Sequence, residues 1–135
     1  MRTIAIILLL FLSLRAFAPS AKSLWIERIE PIRPYEKIWN AITKIESSNN
    51  PYAINVKEQA FGIGQIRLNR LDDYNHRFNK KVSQMSLFDV ETSRIIFLSY
   101  VSKYDPNDIK GICREWNGKS SKNKYYAKVQ QELNK

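Results

Sequence analysis

Two stretches of this chain, far apart in sequence, carry the same apolar spacing. Ile38, Ala41, Ile42 and Ile45 fall at i, i+3, i+4 and i+7, and so do Ile109, Ile112, Cys113 and Trp116. That period gathers side chains on one face of an α-helix and scatters them over both faces of a strand. The pattern predicts a chain that folds by packing helices. The first helix runs from Tyr35 to Ser47 and stops at Asn49-Asn50-Pro51, because the residue before a proline is pushed out of the helical region. Pro51 to Ala60 reads as a loop with at most a short extended piece. A second helix is expected from near Gly64, carrying Leu71, Tyr74 and Phe78 inward. A third covers Val90 to Lys103, with Ile96, Phe97, Tyr100, Val101 and Tyr104 on one side. Asp105-Pro106 supplies a cap acceptor and a first-turn proline for the next helix, which Asn117-Gly118 ends. Ser120 or Ser121 caps a last helix striped by Tyr126, Val129 and Leu133. The fold class expected is mainly α, five or six helices, with little or no β structure.

The first residues bear on the compartment. Met1-Arg2 gives a positive start, Ile4 to Leu14 is an almost unbroken apolar run, and small residues follow at Ala16, Ala18, Ser20 and Ala21. That order is the layout of a secretory signal peptide. The run is about half the length a bilayer span needs, and Arg15 closes it, so no stable membrane span is expected. Both Ala16-Phe17-Ala18 and Ala18-Pro19-Ser20 are candidate cleavage sequences. The organisation expected is a signal peptide over residues 1–20, a lead-in over 21–34 containing Pro31 and Pro34, and one domain over 35–135. A chain of 135 residues has room for one domain and little more. The localisation that follows is the periplasm or cell envelope.

Charge and cysteine usage narrow the partners. The chain has 22 basic and 13 acidic side chains, a formal +9. Without Arg2 and Arg15 the balance is 20 to 13, still +7. A field of that sign favours an anionic partner, although a solvated basic surface accounts for it equally well. Cys113 is the sole cysteine, so an exported chain would carry no intramolecular disulfide. It falls on the apolar face of its helix and reads as a small buried hydrophobe. With His76 the sole histidine, no metal-ligand cluster forms in the sequence. A monomer without metal or cofactor is expected.

The chemistry concentrates around Glu46. Trp39, Ile42 and Glu46 are at i, i+3 and i+7, so the carboxyl borders the apolar face. Lost hydration raises the pKa of such a group, and the negative end of the helix dipole adds to the effect. A carboxyl that keeps its proton near neutral pH is what a general acid requires. Position alone describes many solvated helical glutamates equally well; the surrounding residues decide. Glu46-Ser47-Ser48-Asn49-Asn50-Pro51-Tyr52-Ala53, followed by Ala60-Phe61-Gly62-Ile63-Gly64-Gln65-Ile66, resembles the core signature of soluble lytic transglycosylases and their goose-type lysozyme relatives. Leu87-Phe88-Asp89-Val90-Glu91, Glu115-Trp116-Asn117-Gly118 and Tyr125-Tyr126-Ala127-Lys128-Val129 are similar to three later segments of that family, in order. The resemblance covers about residues 36 to 130.

The resemblance implies a lysozyme-like helical domain acting on peptidoglycan glycan strands. Glu46 would be the single catalytic acid and base. It would protonate the oxygen bridging N-acetylmuramic acid and N-acetylglucosamine, then accept the proton of the muramic C6 hydroxyl, leaving a 1,6-anhydro end. Ser47 would steady the glutamate or the substrate. Gln65 would hydrogen-bond N-acetyl sugars, and Asn117 and Tyr125 would line the far wall, Tyr125 as a hydrogen-bond partner of Glu46. Gly64 stands where the family pattern has methionine, Trp116 where it has tyrosine, and Lys119 where it has a second glycine. Lys57-Glu58-Gln59 replaces small residues in the intervening loop.

Two other readings compete. Glycosidases usually use two carboxylates, and Glu58, Asp72 or Asp73 reaching the cleft would allow hydrolysis by water, with Glu58 best placed. A non-catalytic peptidoglycan-binding module is the second. Arg67, Arg70, His76, Arg77, Lys80 and Lys81, interleaved with Tyr74 and Phe78, also make a stretch of the kind nucleic-acid binders carry. Its aromatics fit helical core spacing better, and no nucleic-acid partner is expected.

Overall fold

A computed structural model of the chain describes residues 33–118 and 124–135. The signal peptide read over residues 1–20, most of the 21–34 lead-in, the departure at Lys119 and the caps at Ser120 or Ser121 lie outside the described residues.

The described residues are mainly helical, as the spacing predicts. A 3₁₀ turn, Arg33–Tyr35, leads into α1, Glu36–Ser47. Three two-residue strands follow: β1 Ile54–Asn55, β2 Ala60–Phe61 and β3 Ile66–Arg67. Then come α2, Leu68–Arg77, a 3₁₀ segment over Gln84–Phe88, α3, Val90–Val101, α4, Ile109–Asn117, and α5, Lys124–Leu133. The periodic residues explain the packing. Ile38, Trp39, Ala41 and Ile42 of α1 are buried, as are Ile96, Phe97 and Val101 of α3, Ile112 and Trp116 of α4, and Val129 of α5. They meet in one apolar cluster, with α5 lying against α1 and α4. Each fully buried aliphatic or aromatic side chain contributes on the order of 2 kcal/mol relative to exposure. Tyr35 ties the start of α1 to the end of α3, its hydroxyl donating to the Tyr104 carbonyl at 2.9 Å. No helix among the described residues is long and apolar enough to cross a membrane.

The strands form an antiparallel sheet in the order β1-β2-β3, with Asn55 opposite Ala60 and Phe61 opposite Ile66. This is the extended piece allowed for after Pro51, enlarged by a second hairpin, and it corrects the start of the second helix. Residues near Gly64 are not helical. Gly62 and Gln65 adopt φ of 74° and 47° and turn the chain back, so Ile66 enters the core from a strand and α2 begins at Leu68. The apolar residues of Gly-Ile-Gly-Gln-Ile suit either period, and the two left-handed residues decide between them.

Two helix boundaries also shift. Asp105 does not cap α4. Its side chain closes a local turn with the Asn107 N–H at 2.8 Å, and Asp108 caps the helix one turn later through the Gly111 N–H at 2.8 Å. The third helix ends at Val101, two residues short of Lys103. Phe78 follows the last turn of α2 and is 37% exposed, its ring against Tyr74.

Candidate active site

Glu46 occupies the last turn of α1, and the way that helix ends fixes its position. Ser48 and Asn49 both take left-handed φ, 56° and 64°. Their N–H groups reach back to the Lys44 and Thr43 carbonyls at 3.1 and 3.2 Å. The Thr43 hydroxyl, buried in the core, donates to Asn49 Oδ1 at 2.8 Å. The helix is thus stopped two residues before Asn50-Pro51, by satisfied end carbonyls. Of the two tasks the resemblance implies for Ser47, its contacts suit steadying the glutamate. Its hydroxyl donates to main-chain carbonyls, Ile63 at 2.8 Å and Thr43 at 3.2 Å. It staples the end of α1 to the β2–β3 turn and steadies Glu46 from behind, without lining the groove.

The Glu46 carboxyl is largely withdrawn from solvent, and that burial pushes its proton affinity above the usual carboxylate range. Tyr125 works against the shift. Its hydroxyl comes from α5 and donates to Glu46 Oε1 at 2.7 Å. Arg67 and Arg70 also favour the ionised form, while Glu58 opposes it. Desolvation prevails over these partners, so the group holds its proton at higher pH than a free glutamate does. The Tyr125 phenol is itself driven well up by burial and by the neighbouring carboxyl, which keeps it a donor.

Gly62 and Gly64 bring the floor of the site close to the core. A Cβ on Gly62 would lie 1.9 Å from the Leu87 carbonyl oxygen, an overlap no backbone shift of ordinary size relieves. That carbonyl also accepts the buried Ser93 hydroxyl at 2.8 Å. A Cβ on Gly64 would lie 3.3 Å from Trp39 Cη2 and 3.5 Å from Trp116 Cζ2. Two departures from the family pattern therefore meet in space: the indole of Trp116 packs where a side chain at position 64 would begin. Gln65 follows with its amide Nε2 committed to the main chain, donating to Gly62 at 3.0 Å and Ala53 at 3.3 Å. The side-chain carbonyl is then what Gln65 can offer a ligand.

Glu46, Gln65 and Asn117 line one groove of about 390 Å³. Asn117, at the end of α4, is part of that lining, whereas Tyr125 is not and meets the groove only through its bond to Glu46. Asn55 and Asn69 add two more amides to the lining. Three further carboxylates share the groove, and each is occupied. Glu58, on the turn between β1 and β2, pairs with Arg67, whose Nε donates at 3.1 Å. That bond holds the Glu58 carboxyl below its usual range. Asp73 accepts from the Tyr100 hydroxyl and pairs with Arg77 at 3.1 Å. Glu115 accepts from the Tyr104 hydroxyl and from Lys103, each at 3.0 Å. Of the four groove carboxyls, Glu46 alone has its proton affinity raised. Asp72 does not line the groove, whereas Glu58 and Asp73 do.

The largest omission from the sequence reading is Arg70. Taken there as part of a basic stretch, it is half-buried and reaches across to the end of α4. Nη2 donates to the Glu115 and Trp116 carbonyls at 3.1 and 2.8 Å. Its guanidinium carbon stands 4.8 Å from the Tyr100 ring centroid and 4.7 Å from that of Trp116. The available signal was spacing: positions 67, 70 and 77 share a side of α2, and all three line the groove. Among the described residues no cluster of three or more side chains is arranged to hold a metal ion. Cys113 is buried, its thiol pushed up to about 12 by desolvation. Comparison of the chain with protein-family models, with curated proteins and with solved structures gives no match, so the function of this groove is argued from its own chemistry.

Proposed function

We propose that this chain is an exported peptidoglycan lytic transglycosylase with a lysozyme-like domain, Glu46 serving as both acid and base. The observation that carries the reading is the Glu46 carboxyl: withdrawn from water, inclined to hold its proton, and fixed by Tyr125 beside a groove lined with amides. A protonated carboxyl in that setting can deliver its proton to a glycosidic oxygen as the C1–O bond breaks. The resulting carboxylate, with Tyr125 donating to it, then accepts the proton of the muramic C6 hydroxyl as that oxygen bonds to C1. The proton balance closes without water, and the products are one chain with a new free hydroxyl and one ending in a 1,6-anhydro ring. The side-chain amides along the groove suit acetamido groups, which need both donors and acceptors, Gln65 contributing its carbonyl as an acceptor.

A second reading has one observation in its favour. Glu58 is ionised and exposed on the same groove, so it could direct water at C1 as a lysozyme-like hydrolase does. Its bond to Arg67 argues against it, because a base engaged by a guanidinium is a weaker one. The deciding experiment is mass spectrometry of peptidoglycan digested by the purified mature protein, with Glu46→Gln alongside. Anhydro ends are expected. Reducing ends would move the assignment to hydrolysis, and intact wall with binding retained would make the chain a binding module.

A further inference from the structure

Arg70 is placed where both burial and its own helix disfavour a cation. It lies in the first turn of α2, the positive end of that helix. Burial draws its pKa below the usual arginine value. An ionised side chain held against both effects is informative through what it grips.

What it grips is the opposite kind of helix end. Among the described residues the last hydrogen bond closing α4 runs from the Gly118 N–H to the Arg114 carbonyl at 3.0 Å, and the Glu115 and Trp116 carbonyls follow it at the helix's end. Arg70 Nη2 donates to both. A guanidinium suits this task because it is planar and always charged, and it can stack while it donates. Tyr100 holds the complex from α3, its ring lying under the guanidinium and its hydroxyl, which donates to Asp73, standing 3.2 Å from the Arg70 carbonyl. One residue therefore joins α2, α3 and α4.

The residue directly after those two carbonyls is Asn117. The ring of Trp116 lies against the guanidinium and also meets Phe97, at 5.1 Å between centroids, and Gly64, next to Gln65. We propose that Arg70 is a positioning residue for the groove: by holding the last carbonyls of α4 it sets Asn117 at a fixed place in the groove it shares with Glu46 and Gln65. The inference rests on the glycan-cleaving reading above.

The test is a double-mutant cycle in steady-state cleavage of soluble peptidoglycan fragments by the mature protein. Arg70→Lys keeps the charge and loses the two-carbonyl grip. Acting through Asn117, it should raise KM by about tenfold, the order of one lost hydrogen bond, with kcat changed much less. Asn117→Ala should raise KM by a similar factor, and the double variant should be no worse than Asn117→Ala alone. A wild-type KM for Arg70→Lys would overturn the proposal, and so would effects that multiply in the double variant. Should Arg70→Lys fail to fold, Arg70→Gln serves in its place. It keeps an amide donor and loses the charged fork, and multiplication with Asn117→Ala would be equally damaging. Failure of the underlying reading looks different: Glu46→Gln would then keep the wild-type rate, or no fragment would be cleaved at all.

Discussion

The two walls of the groove treat the same chemical group in opposite ways. On the α1 side, Glu46 is half-buried and meets one neutral donor, Tyr125. On the hairpin and α2 side, Glu58 is exposed and meets a guanidinium. Desolvation raises the proton affinity of the first, and an ion pair lowers that of the second. Two carboxyls with divergent environments have separate jobs. Glu46 suits proton transfer, and Glu58 suits holding the charge and place of Arg67.

Breaking the α1 side should have the largest effect. Glu46→Gln removes the transferable proton and should lower kcat/KM by about 10³-fold, within the range expected for a general acid, measured on peptidoglycan fragments. Its stability should move the other way. A folded pKa above the unfolded one contributes stability below the unfolded pKa and loses it as pH rises through the folded pKa. Thermal melting at neutral pH should therefore find Glu46→Gln at least as stable as the wild type, with any advantage gone in mild acid. A lower melting point at both pH values would mean the carboxyl is a structural group.

The floor shared by both walls comes next. Gly62→Ala forces a side chain into the Leu87 carbonyl at positive φ and should cost at least about 2 kcal/mol. That would lower the melting temperature by roughly 10 °C in a domain of this size. An unchanged melting curve would show that the β2–β3 turn yields easily.

Two subtler variants sharpen the contrast through the alkaline limb of the kcat/KM profile, where Glu46 loses its proton. Tyr125→Phe removes a donor that favours the ionised carboxyl, so the limb should move to higher pH, with a rate loss of about tenfold. Glu58→Gln removes a like charge, so the limb should move slightly to lower pH while melting stays at the wild-type value. Shifts of the same sign in both variants would contradict the electrostatic division drawn here.

The helical class, the core faces of α1, α3 and α4, and the burial of Cys113 were legible because each is written at helical spacing within a dozen residues. The flanking residues pointed to Glu46 and Gln65 together, and both line the groove. The three strands were not legible, since two residues are too few to show a period. Whether Ser47 steadies the glutamate or the substrate was open in the sequence, because its bond to the Ile63 carbonyl depends on a turn sixteen positions away. Arg70 was hidden for a related reason. Its partners, the Glu115 and Trp116 carbonyls, lie more than forty residues downstream, and no local pattern in the sequence marks a cation that caps another helix.

The packing around Gly64 has an optical consequence. Trp39 and Trp116 are 2% and 5% exposed, both lean on Phe97, and both bound the turn that presents Gln65. The chain has three tryptophans, and the third, Trp25, belongs to the amino-terminal segment. In a Trp25→Phe protein the tryptophan emission comes from the two indoles beside the groove alone. A sugar strand entering the groove, or a strain that loosens the turn, would register as a change in the colour of that emission, without any added label.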